Sequence, residues 1–152
     1  MPIKNLEQST SSLDVLGVGA PLVDLIFYVS EELLVSMPCK KGGMAPVDFS
    51  TFTKRLQEIN IAPKLIPGGS CANVLRGLSR LDHSCAFFGK MGNDSIGDFF
   101  LQDLIEFGIG SFCIKSTSPT GQVLAFVTPD GERTFQSYLG ASLEISAEDL
   151  DP

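Results

Sequence analysis

Apolar and polar residues follow strand-like and helix-like periods in successive segments of this chain. Residues 13–18 form a short apolar run that ends in a glycine-containing turn, and residues 24–29 form a second run rich in β-forming side chains. Both runs predict strands, the first of them buried. Glycine and proline interrupt residues 37–46, which predicts a loop or a hairpin. A cap at Asp48 or Ser50 then begins a predicted helix with one apolar face.

A glycine pair followed by a helical pattern occupies residues 68–81. Val74, Leu78 and Leu81 are in helical register there, so we expect them on one apolar side of the helix. Residues 84–89 then predict a strand.

The same order repeats once more along the chain. Asp94 or Ser95 can begin a second amphipathic helix, and Gly108 can end it. Residues 111–115 predict the next strand. The alternation of strands and helices predicts an α/β layered domain with a largely parallel sheet.

The pattern changes in the last third of the chain. Residues 121–128 and 132–139 are two predicted strands with no helix between them. Pro129, Asp130 and Gly131 join them with the residue types of a tight hairpin turn. We expect this hairpin to form a flap over a site.

Composition and charge exclude several classes of protein. The chain has 152 residues, 43% of them hydrophobic and 19% charged, which is typical of one globular domain. Its net charge of −7 and the absence of a basic cluster longer than Lys40-Lys41 argue against nucleic-acid binding. The polar N-terminus lacks a signal-peptide pattern, and Pro21 and Asp24 interrupt the most apolar stretch. We therefore expect no membrane segment and a cytoplasmic protein.

The four cysteines give little support for a metal site. None forms a C-x-x-C pair, and the sequence contains one histidine. Small or apolar residues flank each cysteine, which predicts buried free thiols in a reducing compartment. His83 follows a predicted helix, and we expect it to be a solvated turn residue.

The end of the sequence carries a helix-start signal. Ser146 and Asp149 have the three-residue spacing of a capping box, and Pro152 follows within one turn. An isolated helix needs roughly a dozen residues to be marginally stable. The spacing therefore suggests a fold that continues, and a frayed tail is the alternative.

Asp24 is a candidate binding residue because it is a carboxylate within an otherwise apolar segment. Its oxygens can accept hydrogen bonds from the vicinal hydroxyls of a polyol. A helix cap or a salt bridge is an equally consistent explanation.

A second candidate is the helix entry at Gly68 and Gly69. Glycines let a ligand approach the backbone, and the N-terminus of a helix offers unpaired N–H groups. Asn73, one turn later, supplies both a donor and an acceptor. A plain helix entry with close packing against a sheet would use the same residues.

Other glycine-rich segments carry weaker signals. Residues 89–97 contain three glycines, and a turn followed by a helix cap at Asp94 explains them without a ligand. Residues 17–22 begin like a dinucleotide fingerprint, but Leu22 replaces its third small residue. The Gly-Lys pair at 89–90 lacks the remainder of a phosphate-binding loop.

Taken in order, these segments resemble the PfkB family of carbohydrate kinases. GGSCANVLRGLSRL (68–81) with FFGKMGNDSIGDFF (87–100) is similar to the first family signature. GVGAPLVDLI (17–26) resembles the first strand, with its sugar-binding aspartate. TGQVLAFVTPDGERTFQSYLGA (120–141) resembles the lid hairpin, and KGGMAPVD (41–48) resembles the adenosine-kinase-like branch. The likeness is collinear and covers nearly the whole chain.

This resemblance implies a ribokinase-like fold, which is a layered α/β/α sheet with a small β lid. Residues 1–152 would be the N-terminal portion of the kinase domain, incomplete at its C-terminal side. The lid would consist of residues of about 25–46 and 120–140, and it would close over the substrate.

The resemblance also implies roles for individual residues. Asp24, Gly68, Gly69 and Asn73 would bind the hydroxyls of the acceptor. Arg133, at the lid turn, is a candidate stabiliser of the transferred phosphate, and an exposed turn arginine is equally consistent.

Three apolar residues, Phe27, Met44 and Phe126, are candidates for contact with a base or aglycone. Packing in the core is the alternative explanation for each of them. The sequence does not identify the acceptor.

One family motif is missing from this sequence. A Gly-Ala-Gly-Asp segment normally supplies the catalytic base and an anion hole, and the nearest segment here is Leu-Gly-Ala-Ser at 139–142. We therefore expect no catalytic residue in this chain beyond the candidate Arg133. ATP and Mg²⁺ would serve the complete enzyme, and we expect neither to be bound by this chain alone.

The sequence thus predicts the acceptor-binding half of an ATP-dependent sugar or nucleoside kinase, inactive by itself. The alternative is a non-catalytic module that binds a sugar or nucleoside or associates with itself, for example as a homodimer through the lid. A Rossmann-type reductase is disfavoured by Leu22.

Overall fold

The computed structural model describes residues 12–150, and within them eight strands and four α-helices form. The strands are β1 (Val15–Val18), β2 (Leu22–Tyr28), β3 (Met44–Pro46), β4 (Lys64–Pro67), β5 (Cys85–Gly92), β6 (Gly110–Ser116), β7 (Gly121–Val127) and β8 (Arg133–Tyr138). The helices are α1 (Glu31–Val35), α2 (Phe49–Glu58), α3 (Ser70–Ser79) and α4 (Ser95–Glu106). The predicted α/β class is confirmed.

The first sheet is parallel, with the strand order β1-β5-β6. Helices α3 and α4 make its crossover connections, as parallel neighbours require. Both helices cover the same face, since Gly17 of β1 lies against Cys71 and Leu75 of α3. On that face Phe87 packs edge-on against Phe100 of α4, with ring centroids 5.3 Å apart. The predicted alternation of strands and helices is therefore confirmed.

The opposite face of the parallel sheet is partly open, although Phe88 on it is buried beside Asp149 and Leu150. Leu16 and Val18 point away from α3, and they are 50% and 60% exposed. Phe112 of β6, which pairs with Phe88 of β5, is 47% exposed. Residues 12–150 thus supply one helical layer to this sheet, where the predicted α/β/α arrangement has two.

The second sheet has five strands in the order β3-β8-β7-β2-β4. Strands β7 and β8 form the predicted hairpin, and Gly131 adopts the positive φ of 82° that its turn requires. The hairpin continues into a complete sheet, because β7 pairs in parallel with β2 along its whole length. The two predicted lid segments, 25–46 and 120–140, therefore share one sheet.

Ion pairs hold the tip of the hairpin. Lys41 Nζ lies 2.6 Å from Asp130 Oδ2 and 2.5 Å from Glu31 Oε1, so one ammonium joins the turn to the α1–β3 region. The backbone also connects these segments, because Phe135 N–H donates to the Gly43 carbonyl at 2.8 Å.

The pleat of β2 separates two environments. Val23, Leu25 and Phe27 are at most 4% exposed and belong to the core. The intervening side chains, including Asp24, lie on the opposite face of the sheet. Helix α2 begins at Asp48, whose carboxylate accepts from Thr51 N–H at 2.7 Å, as one of the two predicted caps.

The apolar side expected for α3 is wrong at two of its three residues, while Leu78 packs against the core as expected. Val74 and Leu81 are 60% and 70% exposed, whereas Ala72 and Leu75 are buried. The glycines of β1 are the reason, because they leave room on the sheet for Cys71 and Leu75.

The cysteine thiols are free, as expected, but most of them are less buried than expected. All four cysteines are free, but only Cys85 is buried, and the others are partly exposed. His83 is half-exposed in a turn, as expected, with Nδ1 3.8 Å from Asp14 Oδ2.

The C-terminal segment forms two short 3₁₀-helices, at Gly140–Glu144 and Ala147–Leu150. Ser146 N–H donates to Asp149 Oδ2 at 2.8 Å, which is the backbone arm of the predicted capping box. The turn that follows is 3₁₀ rather than α-helical within the described residues. Asp149 also pairs with Lys90 at 3.0 Å.

Asp94 joins the two sheets. Its Oδ1 accepts from Gly97 N–H at 2.8 Å, which caps α4, and its carboxylate also accepts from the Thr120 hydroxyl and N–H at 2.7 and 2.8 Å. Thr120 is fully buried. Burial opposes ionisation of Asp94, but the hydrogen bonds from Thr120 and Gly97 outweigh it and hold its pKa below the ordinary value.

We predict that Asp94→Ala lowers the free energy of unfolding by roughly 2–4 kcal/mol, because it removes a helix cap together with charge-assisted hydrogen bonds. Asp48→Ala is the matched control, since it removes only an exposed cap and should destabilise the fold less. Urea unfolding with an unchanged m-value measures both losses. Equal losses would contradict the bridging role.

Candidate functional site

Asp24 and Gly68 are in direct contact. A Cβ atom at position 68 would lie 2.7 Å from Asp24 Oδ1, so only glycine leaves the carboxylate where it is. Gly69 follows with a φ of 84° and forms the N-cap of α3 without a side-chain hydrogen bond. The structure thus brings Asp24 to the glycine pair at the N-terminus of α3, as the sequence suggested.

The Asp24 carboxylate keeps its hydrogen-bonding capacity. No hydrogen bond from residues 12–150 contributes to its pKa, and the two arginine charges act on it without an ion-pair contact, which disfavours the helix-cap and salt-bridge explanations there. Burial raises the pKa of Asp24, while the charges of Arg76 and Arg133 act in the opposite direction. A half-buried carboxylate of this kind is suited to accept hydrogen bonds from a ligand.

Asn73 lies one turn into α3 and is exposed. Its side-chain oxygen accepts from Arg76 Nη1 at 2.6 Å. Arg76 Nε in turn donates to Asp103 of α4 at 2.6 Å. Sequence reasoning missed Arg76, although its i,i+3 spacing from Asn73 was a signal that both share a helix face.

A shallow depression of about 90 Å³ lies on the outer face of the second sheet. Asp24 and Arg133 supply its charged groups. Arg133 begins β8 and is exposed, as expected for a turn arginine. Its remaining lining residues are apolar or aromatic: Ile26, Tyr28, Ala125, Val127 and Phe135.

For two of the three apolar candidates, the structure supports packing in the core and not contact with a ligand. Phe27 and Phe126 are fully buried on the core face, with ring centroids 6.0 Å apart. Met44 is 70% exposed and pairs with Phe135 of β8. The period of two along β2 could have identified the right side chains, because Ile26 and Tyr28 share the face of Asp24 whereas Phe27 does not.

The glycine-rich turn at 89–97 has a structural role. Both oxygens of Asp94 are engaged by Gly97 and Thr120, and Lys90 pairs with Asp149. In the part of the chain from 12 to 150, no group of three His, Cys, Asp or Glu side chains is arranged to hold a metal ion. Over the same residues, no helix has the length and apolar character that a membrane span needs.

Comparison with known proteins places the fold. A profile described as "pfkB family carbohydrate kinase" matches residues 42–151. "Probable fructokinase-4" of Arabidopsis thaliana is 38% identical over 116 residues, which are 75% of this chain and 32% of that protein.

Solved structures agree with this match. Adenosine kinase from Sinorhizobium meliloti superposes with a TM-score of 0.82 and 29% identity, covering 93% of this chain and 43% of that one. A probable sugar kinase from Rhizobium etli gives a TM-score of 0.83 and 31% identity, over 90% of this chain and 42% of that one. These likenesses confirm the predicted ribokinase-like fold.

The chain spans about a third of the fructokinase and less than half of each solved kinase. The family profile nevertheless matches well over half of the chain, including the glycine pair and the hairpin. This chain therefore belongs to the PfkB family of carbohydrate kinases.

Proposed function

We propose that this chain supplies the acceptor-binding half and the lid of an ATP-dependent kinase that phosphorylates a hydroxyl of a sugar or nucleoside. The observation that carries the proposal is the Asp24 carboxylate, which is half-buried against Gly68 and has no hydrogen-bond donor within residues 12–150. The family and its fructokinase and adenosine kinase relatives support it.

Asp24 accepts hydrogen bonds from the hydroxyls of the acceptor in this proposal. The backbone at Gly68 and Gly69 allows close approach, and the first N–H groups of α3 add donors. The apolar side chains beside Asp24, mainly Ile26 and Phe135, contact the less polar face of the substrate.

The segments 25–46 and 120–140 act as the lid in this proposal. They belong to one sheet, and that sheet would exclude water from the bound hydroxyl. Arg133 lies in the same depression as Asp24, where a cation can approach a transferred phosphate. A homodimer through the lid and a cytoplasmic location belong to the same proposal.

Phosphoryl transfer needs groups that this sequence lacks. It has no Gly-Ala-Gly-Asp segment to supply a base and an anion hole. ATP and Mg²⁺ are therefore assigned to the complete enzyme, and this chain binds the acceptor without turnover.

The alternative function is a non-catalytic module that binds a sugar or nucleoside or associates with itself. The open face of the parallel sheet favours association, because Leu16, Val18 and Phe112 expose apolar surface on it.

We predict that the chain binds adenosine, ribose or fructose, and that Asp24→Asn weakens binding roughly 10- to 100-fold by removing charge-assisted hydrogen bonds. Isothermal titration calorimetry measures the affinities. Asp48→Asn is the matched control, since it alters an exposed aspartate on α2 and should leave them unchanged. A wild-type chain that binds none of the three and sediments as an oligomer would favour the self-associating module.

Asp24→Asn should also change the pH dependence of stability. Burial raises the folded pKa of Asp24 above its usual 3.8, so the folded state favours the protonated carboxyl group. The contribution of Asp24 to stability is therefore full below pH 3.8 and is lost as pH rises through the folded pKa. Without ligand, wild type should lose stability relative to Asp24→Asn as pH rises above 3.8. Urea unfolding across this range measures the difference. A variant less stable than wild type at neutral pH would indicate a paired carboxylate instead.

We predict no kinase activity for the 152-residue chain alone, because it lacks the segment that supplies the base and anion hole. ATP-dependent phosphorylation of adenosine, ribose and fructose 6-phosphate should equal that of a protein-free control. Turnover with any of them would refute the assignment of catalysis to the missing segment.

A further inference from the structure

Arg76 connects the two helices of the parallel sheet to the candidate site. Its side chain is 11% exposed, and Nε donates to Asp103 Oδ2 of α4 at 2.6 Å. Nη1 donates to the Asn73 side-chain oxygen at 2.6 Å. Since a guanidinium carries only donors, the oxygen is the atom of the Asn73 amide that must face it.

This contact determines what Asn73 can offer to a ligand. The amide has one acceptor atom, and Arg76 engages one of the two lone pairs of that oxygen. The NH₂ group of Asn73 has no acceptor within residues 12–150 and carries the remaining donors. Asn73 therefore presents donors, whereas the ionised Asp24 presents only acceptors. A hydroxyl both donates and accepts, so it matches the donors of Asn73 and the acceptors of Asp24 if both contact the acceptor as in the proposed function.

The Arg76 guanidinium is only partly paired. Arg76 Nη2 is buried and has no hydrogen-bond partner in the described part of the chain. Leaving a buried donor unpaired is unfavourable, and apolar residues often replace buried ion pairs without loss. The charge of Arg76 also lowers the pKa of Asp24 against the effect of burial, which favours its acceptor form.

We propose that Arg76, anchored by Asp103, is a positioning residue that holds the Asn73 amide with its NH₂ group available to a substrate hydroxyl. This inference rests on the proposed function, in which Asp24 and Asn73 bind the hydroxyls of the acceptor. Arginine is required because its planar fork makes both bonds at fixed angles, and lysine provides a single point charge.

The first test uses the ligand-free chain and is independent of binding. In ¹⁵N-edited NMR, the Arg76 Nε–H resonance should exchange slowly and the Asn73 NH₂ pair should have fixed shifts. Asp103→Asn and Arg76→Lys should move the Asn73 pair toward solvent-exposed values. Arg55→Lys is the matched control, because Arg55 is 14% exposed and pairs with Glu58 on its own helix. If neither Asp103→Asn nor Arg76→Lys changes the chemical shifts of the Asn73 NH₂ pair, the proposal is overturned.

The second test measures affinity by calorimetry with adenosine and 2′-deoxyadenosine. Arg76→Lys should weaken adenosine binding roughly tenfold and the deoxy analogue less, since the latter lacks one of two vicinal hydroxyls. In a double-mutant cycle, adding Asn73→Ala to Arg76→Lys should weaken adenosine binding little further. Arg55→Lys should bind both ligands like wild type.

The outcomes separate the two proposals. Equal losses for both ligands, or additive losses in the cycle, overturn the role of Arg76 while the proposed function stands. A wild-type chain that binds none of adenosine, ribose and fructose refutes the proposed function, and with it any role of Arg76 toward a substrate, even if the NMR contacts are present.

Discussion

The bond between Asp94 and Thr120 is the constraint on which the arrangement of this protein depends. One carboxylate caps α4 at the end of β5 and holds the residue that precedes β7. The hydroxyl of Thr120 also accepts from Gly92 N–H at 3.0 Å. The second sheet is thereby fixed to the parallel sheet at one buried point. Because β2 pairs along β7, this point also sets the position of Asp24.

The site uses both faces of one strand. Phe27 anchors β2 in the core, while Asp24, three residues earlier, lies on the opposite face beside Gly68. The packed core face of β2 fixes the position of the Asp24 carboxylate on the other face, where no donor among the described residues bonds to it. Binding sites hold such unpaired groups at some cost in stability. Arg76 fits the same pattern, since it combines a buried, incompletely paired guanidinium with a contact to Asn73.

Local chemistry made much of this predictable. The caps at Asp48 and Asp94 and the turn at Gly131 follow from adjacent residues, and each was expected. Asp24 and the glycine pair were also identified, because a charge in an apolar run and paired glycines are visible in the sequence. Contacts distant along the chain were not predictable. The pairing of Arg76 with Asp103 spans 27 residues, and the face of α3 depends on glycines in β1. Strand β4 and the division into two sheets likewise follow from long-range pairing.

The contact between Gly68 and Asp24 also affects how this sequence can change over time. A methyl group at position 68 would lie within 2.9 Å of all three carboxyl atoms of Asp24. The carboxylate of Asp24 already fills the space that a side chain at position 68 would need, although the two residues lie far apart in the sequence. A side chain gained at position 68 would therefore have to displace the carboxylate at 24 or follow its loss.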